Sequence, residues 1–280
     1  GIFNVGGPGC VKVGDTAFDL NYKEALYLGA GERTVTFESL DDKNPAKFYF
    51  NSAPAHKTYP DKKVTKADAV VAEMGVYDFA NCTNLTSATF PAARKKIEDY
   101  TFYNCSALTS ITMPRLVDTV GVSAFQGCSS LTEINWSERI TTLGSSSFRG
   151  CAALQNVVIP ETVTSIGTYA FADCTTLTGI TLPENTTSLA NYLFSGCTAL
   201  QTYELPANVT AIGDGVFSEC AALNDITLPE GLQTLGQKVF YNCDALQNIA
   251  IPAVTQSFGA QCFYDCDALS CLNLSNSVTS

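Results

Sequence analysis

Nine cysteines recur every 23 residues along this chain, and this period constrains its fold more than any other feature. A phenylalanine lies three residues before each cysteine and a leucine three residues after it. A period of this length, shared by three residue types, predicts a solenoid of stacked coils. The cysteines are Cys82, Cys105, Cys128, Cys151, Cys174, Cys197, Cys220, Cys243 and Cys266.

Each repeat begins with a short strand. In residues 154–159, Val157 and Ile159 are predicted to face inward, whereas Asn156 and Val158 face outward, because successive side chains of a strand alternate. Seven of the nine units place a proline directly after this strand. Proline has no amide hydrogen to donate to a ladder, so it marks where the strand ends.

The second half of each repeat is predicted to contain another strand and a turn. Residues 162–166 are rich in β-branched side chains, which favour a second short strand. A glycine often follows, and it supplies the bend. The segment around Ala170, Phe171 and Cys174 is then expected to form a short helical or 3₁₀ turn that leads into the next coil.

The repeat motif resembles a known family. The pattern CxxLxxIxLPxxVxxIGxxAFxxC occurs from Cys151 to Cys174 and, with small changes, from Cys197 to Cys220. It resembles the BspA-like leucine-rich repeats of bacterial surface proteins. The resemblance implies a curved solenoid, secretion or surface anchoring, and in some members adhesion to host proteins or other cells.

Two regions follow from this pattern. Residues 66–280 are expected to form a leucine-rich-repeat solenoid, a right-handed curved β-rich coil of about nine 23-residue repeats, the last one incomplete. Residues 1–65 lack the repeat and alternate short apolar stretches with polar turns, so we expect a small β-rich N-terminal cap. Residues 1–10 lack the basic start and apolar core of a signal peptide, so the expected extracellular or cell-surface location is what the family resemblance implies.

The net charge of −11 is unevenly distributed. Residues 1–100 carry 12 Lys and Arg against 13 Asp and Glu, whereas residues 101–280 carry 4 against 14. An acidic array repels phosphate backbones and anionic lipid, so we expect neither nucleic acid binding nor direct membrane insertion. Lys62, Lys63 and Lys66, with residues 94–96, form the basic clusters, and we interpret them as solvated surface charge. The expected partner is a host or bacterial surface protein, bound by a monomer or weak oligomer.

The cysteine ladder is interpreted as buried, reduced thiols. Equivalent cysteines of adjacent coils are expected to have parallel side chains, which does not fit the geometry of a disulfide. The ladder also has nine positions, an odd number, so its cysteines cannot all be paired. Cys262, Cys266 and Cys271 are close in sequence, but no histidine completes a zinc site. We therefore expect these three cysteines to be packing residues, and we expect neither a metal nor a cofactor.

Catalysis is not expected. His56 is the sole histidine, and no phosphate-binding loop or nucleophile motif occurs. Glu133, Glu204 and Asp225 are the carboxylates to consider for an acid and base pair, but they are expected on different, well-separated coils. Solvated surface charge explains them better.

The outward strand positions form the candidate binding face, which is predicted to be a smooth, mildly acidic and concave face of a stacked sheet. Its predicted members are Thr112, Glu133, Asn135, Asn156, Thr181, Thr202, Glu204, Asp225 and Thr227. The first hypothesis is a non-catalytic protein-binding or adhesion module of a bacterial surface or secreted protein. The alternative is a carbohydrate-binding or carbohydrate-processing surface protein, which aromatic side chains on this face would favour.

Four positions depart from the repeat. Ala88 and Arg94 replace large apolar residues, and Thr186 replaces the usual valine. Trp136 replaces the last aliphatic residue of its strand, and its register predicts an inward, core position.

Overall fold

The protein is described here by a computed structural model. The described residues are 2–4, 9–13, 16–20, 25–27, 35–40, 48–50, 62–64, 79–88, 90 and 92–273. The chain divides into two compact units, Gly1–Val70 and Val71–Ser280. His56, Lys66 and Ser280 lie outside the described residues.

The N-terminal unit is β-rich, as predicted. One antiparallel sheet has the strand order β6-β1-β4-β7, and a second has the order β3-β2-β5. Cys10, Val11 and Leu20 are buried in this unit. The strands are β1 (Ile2–Asn4), β2 (Gly9–Val13), β3 (Thr16–Leu20), β4 (Ala25–Tyr27), β5 (Val35–Ser39), β6 (Phe48–Phe50) and β7 (Lys62–Val64).

The second unit is a stack of 23-residue coils, which confirms the predicted solenoid. Two-residue and three-residue strands alternate along the stack, and each strand pairs in parallel with at least one equivalent strand that lies 23 residues away. The two-residue strands are β8 (Lys96–Ile97), β10 (Thr119–Val120), β12 (Thr142–Leu143), β14 (Ser165–Ile166), β16 (Ser188–Leu189), β18 (Ala211–Ile212), β20 (Thr234–Leu235) and β22 (Ser257–Phe258). The three-residue strands are β9 (Ser110–Thr112), β11 (Glu133–Asn135), β13 (Asn156–Val158), β15 (Gly179–Thr181), β17 (Thr202–Glu204), β19 (Asp225–Thr227), β21 (Asn248–Ala250) and β23 (Cys271–Asn273).

Turns without a helix precede each cysteine, where the sequence predicted a short helical or 3₁₀ turn. The amides of Tyr100, Phe102 and Asn104 donate to carbonyl oxygens of the following coil at 2.7 to 2.8 Å. The intervening amides of Thr101 and Tyr103 donate to carbonyl oxygens three residues back within their own coil. Because every second amide points along the solenoid axis, a helix cannot form, and the segment is a stacked series of turns.

These turns need two left-handed residues in each coil. In the coil that ends at Cys174, Tyr169 and Asp173 both have a φ of 59°. Asn, Asp and Gly tolerate this region best, and they hold eight of the nine described positions directly before the ladder cysteines. Those positions are Asn81, Asn104, Gly127, Gly150, Asp173, Gly196, Glu219, Asn242 and Asp265.

The core is a column of phenylalanine rings lined by the cysteine ladder. Phe102, Phe125 and Phe148 are fully buried, and their rings stack at centroid distances of 5.2 Å. From Cys105 onward, each ladder thiol donates a hydrogen bond to the carbonyl oxygen of the phenylalanine 26 residues earlier, at 2.9 to 3.4 Å. The ladder is buried from Cys105 to Cys243, as predicted. Cys82 is exposed and Cys266 is half-buried, because the described stack leaves them at its two ends.

One junction between coils departs from the regular stacking. Six coils have a glycine directly after the two-residue strand, and a Cβ atom added there would lie within 2.8 Å of backbone atoms of the preceding coil. Ala190 occupies this position after β16, the fifth of the eight two-residue strands, and carries a Cβ atom. Within residues 92–273, no pairing joins β14 to β16, the strand that precedes Ala190. The glycines are Gly121, Gly144, Gly167, Gly213, Gly236 and Gly259.

The three-residue strands are also unpaired at this junction. No pairing joins β15 to β17 in the same described range. Across it, the rings of Phe171 and Phe194 tilt by 33° and their centroids lie 6.5 Å apart. Tyr203 of β17 takes a position that is aliphatic in the other coils, and its ring packs edge-on against Phe194 at 5.6 Å. The ring column is thus more widely spaced at this junction than at the stacked pairs, whose centroids lie 5.2 to 5.7 Å apart.

Within the described residues no helix is long and apolar enough to cross a membrane.

Candidate functional site

The outward side chains of the three-residue strands form one surface, which we call the strand face. Each of β13, β17, β19 and β21 shows an exposed, buried, exposed pattern, which confirms the predicted register. All nine predicted binding residues are exposed on this surface. They are Thr112, Glu133, Asn135, Asn156, Thr181, Thr202, Glu204, Asp225 and Thr227.

The strand face is divided into blocks of two paired strands. Within residues 92–273, the hydrogen-bonded pairs are β9 with β11, β13 with β15, β17 with β19, and β21 with β23. The candidate residues therefore belong to three separate pairs of strands. The sequence did not reveal the division because every coil has the same length.

Glu204 and Asp225 are closer together than the sequence suggested. They lie on β17 and β19, which are paired strands, with Thr202 opposite Asp225 and Glu204 opposite Thr227. The expectation of well-separated coils was therefore wrong for this pair. Glu133 lies on β11, in another block. Both carboxylates of the pair are exposed, so water screens them from one another.

The block around β11 has its own polar contacts. The side-chain amide nitrogen of Asn135 donates to Glu133 Oε1 at 3.1 Å and to Thr112 Oγ1 at 3.4 Å. The first of these bonds holds the Glu133 carboxylate over its own strand. Among the described outward positions of β9 to β21, none is Lys or Arg, so the charge of the strand face is negative.

A slot opens in the strand face between β11 and β13, which do not pair. It has a volume of about 200 Å³ and is lined by Thr132, Ile134, Trp136, Leu154, Asn156, Val157 and Val158. Trp136 points inward, as predicted, and its ring meets Phe148 edge-on at 5.5 Å. It is only half-buried, however, because the neighbouring coil does not close over it.

A second groove lies on the other side of the solenoid, at the junction that precedes Ala190. Its volume is about 180 Å³, and its lining includes Val163, Ile166, Thr186 and Leu189. Thr186 replaces the Val163 of the preceding coil with a polar side chain of similar shape, and β14 and β16 do not pair. The groove thus lies where the ladder is interrupted.

Tyr169 and Tyr192, in the turns of adjacent coils, offer little ring surface for stacking against a sugar. Tyr169 and Tyr192 stack on one another at 4.7 Å. The guanidinium of Arg149 covers Tyr169 at 5.2 Å, and a Cβ atom added to Gly215 would meet the Tyr192 ring. The ring faces of this pair are therefore occupied by protein groups.

The thiols of the core are unsuited to nucleophilic chemistry. Burial raises the pKa of Cys128, Cys174 and Cys220 to about 12, with a partial offset from backbone hydrogen bonds to the preceding coil. Cys262 is also buried, and burial raises its pKa to about 12. In the part of the chain that the structure describes, no three His, Cys, Asp or Glu side chains are arranged to hold a metal ion.

Comparison with known families gives a match over most of the chain. The family model described as "BspA type Leucine rich repeat region" matches residues 72–201 and 187–280, with six copies. This match confirms the resemblance inferred from the sequence. A solved leucine-rich repeat protein from Bacteroides ovatus is 28% identical, with a TM-score of 0.67 over 81% of this chain and 69% of that chain. The pneumococcal vaccine antigen PcpA, 20% identical with a TM-score of 0.51 over 76% of this chain and 65% of its own, shares the fold.

The N-terminal region is similar to a different class of protein. Over 85 residues the chain is 72% identical to 4-deoxy-L-threo-5-hexosulose-uronate ketol-isomerase of Bacteroides fragilis and 69% identical to the Bacteroides thetaiotaomicron protein of that name. The matched segment is 30% of this chain and spans 30% of the length of each relative. This similarity was not predicted, because residues 1–65 contain no repeat and no catalytic motif.

Proposed function

Since the chain belongs to the BspA-type leucine-rich repeat family, we propose that it is a non-catalytic, protein-binding module of a bacterial cell-surface or secreted protein. It acts in adhesion and binds its partner through the strand face. The partner is a protein on the surface of a host or bacterial cell. Neither nucleic acid nor lipid is a partner, because the repeat region is acidic.

One observation carries this proposal: nine short polar or acidic side chains are exposed together on paired strands, with no cation among them. Their backbones are fixed by the stack, so binding orders few additional groups. Acidic side chains attract a basic partner surface and accelerate its approach. Association should therefore slow as ionic strength rises.

Adhesion of beads that carry the full chain tests the proposal. The beads are mixed with bacterial cells and, in parallel, with epithelial cells, before and after protease treatment of the cells. We expect adherence that protease abolishes. Reversing Glu133, Glu204 and Asp225 to lysine should slow association roughly tenfold, because steering depends on these charges.

A matched variant separates the strand face from net charge. Glu161, Glu184 and Glu230 are exposed and follow the prolines that end their strands, so reversing them changes the net charge equally but off the face. We expect this variant to adhere like the parent. Equal losses from both variants, or no loss from the first, would contradict the proposal. If substitutions in residues 1–65 abolish adherence instead, the N-terminal unit is the binding module.

The 72% identity to an isomerase over 85 residues favours a second candidate, carbohydrate processing by the N-terminal region. The relative's name specifies a uronate substrate, but the matched segment spans only 30% of that relative. Incubating the full chain with 4-deoxy-L-threo-5-hexosulose uronate and following its sugar signals by NMR decides between the candidates. The non-catalytic proposal expects no turnover, and isomerisation above the uncatalysed rate would favour the second candidate.

A further inference from the structure

We propose that the slot between β11 and β13 is an anchor site for one apolar side chain of a basic protein segment lying on the strand face. The inference rests on the proposed function, and it specifies where on that face the partner is held and by what chemistry. Two features lead to it, the exposure of core positions at the slot and the charge around it.

The slot exposes residues that are core elsewhere. The central residue of the three-residue strand is buried in β9, β13, β15, β17, β19 and β21, with at most 7% of its surface exposed. Ile134, the central residue of β11, is half-buried. The residue directly after the strand is buried in the neighbouring coils, where it is Met113 or Ile159. Trp136 occupies the same position after β11 and is only half-buried. Two adjacent core positions therefore meet solvent at one place.

The rim adds further apolar surface. Val158 is 67% exposed, the highest exposure among the large hydrophobic residues of the described chain. Together with Ile134 and Trp136 it makes an apolar patch in a face that is otherwise polar. Such a patch on a soluble surface marks an interaction site, and tryptophan is enriched among residues that contribute most to binding.

The size and charge of the slot define its occupant. Its 200 Å³ is below the roughly 300 Å³ lower bound of sites for drug-sized ligands, but it accommodates one aliphatic side chain. Glu133 is exposed on β11 beside Ile134, and no Lys or Arg occupies the described outward positions of β9 to β21. A segment with an apolar residue between lysines or arginines satisfies both the slot and the carboxylate.

Trp136 permits a direct test, because it is the only tryptophan in the chain. The probes are two Lys and Gly heptapeptides that differ only at the centre, Leu in one and Ala in the other. Intrinsic fluorescence of the full chain is titrated with each, and acrylamide quenching is measured at saturation. We expect the Leu peptide to bind about tenfold more tightly, to shift the emission of Trp136 to the blue and to protect it from acrylamide.

Two exposed positions give matched variants that leave the core untouched. Val158 and Thr181 are partners across β13 and β15, but only Val158 lines the slot. Val158→Ser should weaken binding of the Leu peptide about threefold or more, whereas Thr181→Ser should not change it. Glu133→Gln should weaken binding of both peptides about equally, because it removes charge without changing the slot.

The results distinguish the anchor site from the proposed function. If both peptides bind equally, Glu133→Gln weakens both, and the emission of Trp136 does not change, the strand face binds basic segments but the slot is no anchor. If neither peptide binds, the anchor site is also refuted. Adherence of chain-coated beads to cells, lost on charge reversal of the face, would still uphold the proposed function in either case.

Discussion

The repeated cysteine has a chemical role that its burial alone does not explain. Each buried thiol fills a small apolar space and also donates to a phenylalanine carbonyl of an earlier coil, as Cys151 does to Phe125 at 3.3 Å. An alanine would leave that carbonyl oxygen without this donor, and a serine would be costlier to bury. The thiol satisfies both needs, which explains why one residue type recurs at every coil.

The raised thiol pKa values predict that stability falls at alkaline pH. Burial raises the pKa of Cys128, Cys174 and Cys220 from the ordinary value of 9.0 to about 12. Between these values the unfolded chain releases protons that the folded chain retains, so stability falls as pH rises through this window and is unaffected below it. Each thiol contributes about 1.4 kcal/mol per pH unit. Denaturant unfolding at pH 7.5, 9 and 10.5 checks this, and equal stability at all three pH values would contradict it.

Thiol labelling should follow burial. Cys82 and Cys271 are exposed and should react with Ellman's reagent in the native protein, whereas the cysteines from Cys105 to Cys243 should react only after denaturation. Mass spectrometry of native and unfolded samples identifies the labelled positions. Rapid native labelling of Cys151 or Cys197, or intact-mass loss of two hydrogens per cysteine pair, would contradict the arrangement.

At the scale of the element, buried positions of turns and strands should determine stability, and exposed positions should not. Phe171 is fully buried, so Phe171→Ala should cost about 3 to 5 kcal/mol through the cavity that it leaves. Asn156 is exposed on β13, so Asn156→Ala should change the free energy of unfolding by less than about 0.5 kcal/mol. Denaturant titrations of both variants provide the comparison. Losses of similar size would mean that the register is wrong.

The glycine that follows six of the eight two-residue strands should set how closely two coils approach. Ala190→Gly removes the Cβ atom at the unpaired junction and should let β16 pair with β14, which slows hydrogen exchange of the backbone amides at positions 187 and 190. The reverse change, Gly167→Ala, places a Cβ atom against the backbone at Ser145 and should cost about 1 to 3 kcal/mol. Unchanged exchange in the first variant, or a neutral second variant, would show that Cβ contact does not cause the break.

Much of the strand pattern was predictable, whereas the turns and the interruptions were not. Inward Val157 and outward Asn156 follow from alternation alone. The predicted short helical or 3₁₀ turn before Cys174 took no account of the left-handed backbone at Tyr169 and Asp173. The slot depends on how Trp136 fits against a neighbouring coil, which period and composition do not specify.

For the whole molecule, the junction before Ala190 divides the described solenoid into two stacks. The ladders of two-residue strands and of three-residue strands are both interrupted there. The third ladder, formed by hydrogen bonds between stacked turns, continues, because the amide of Phe171 donates to the carbonyl oxygen of Leu193 at 3.1 Å. In a repeat array, stability is a sum of coil terms and nearest-neighbour interface terms. An interface that lacks two of three ladders is weak, so the coupling between the stacks should be low.

This weak interface predicts that damage to one stack stays within it. Phe240→Ala removes a fully buried ring from the second stack and should lower hydrogen-exchange protection in coils after Cys197. Coils between Cys105 and Leu182 should keep most of their protection, because little interface free energy links them to the damaged coils. Exchange mass spectrometry of peptides from each stack measures this. Adding Ala190→Gly should restore the ladder and spread the loss into the first stack, whereas an equal loss in both stacks with Ala190 in place would show one cooperative unit.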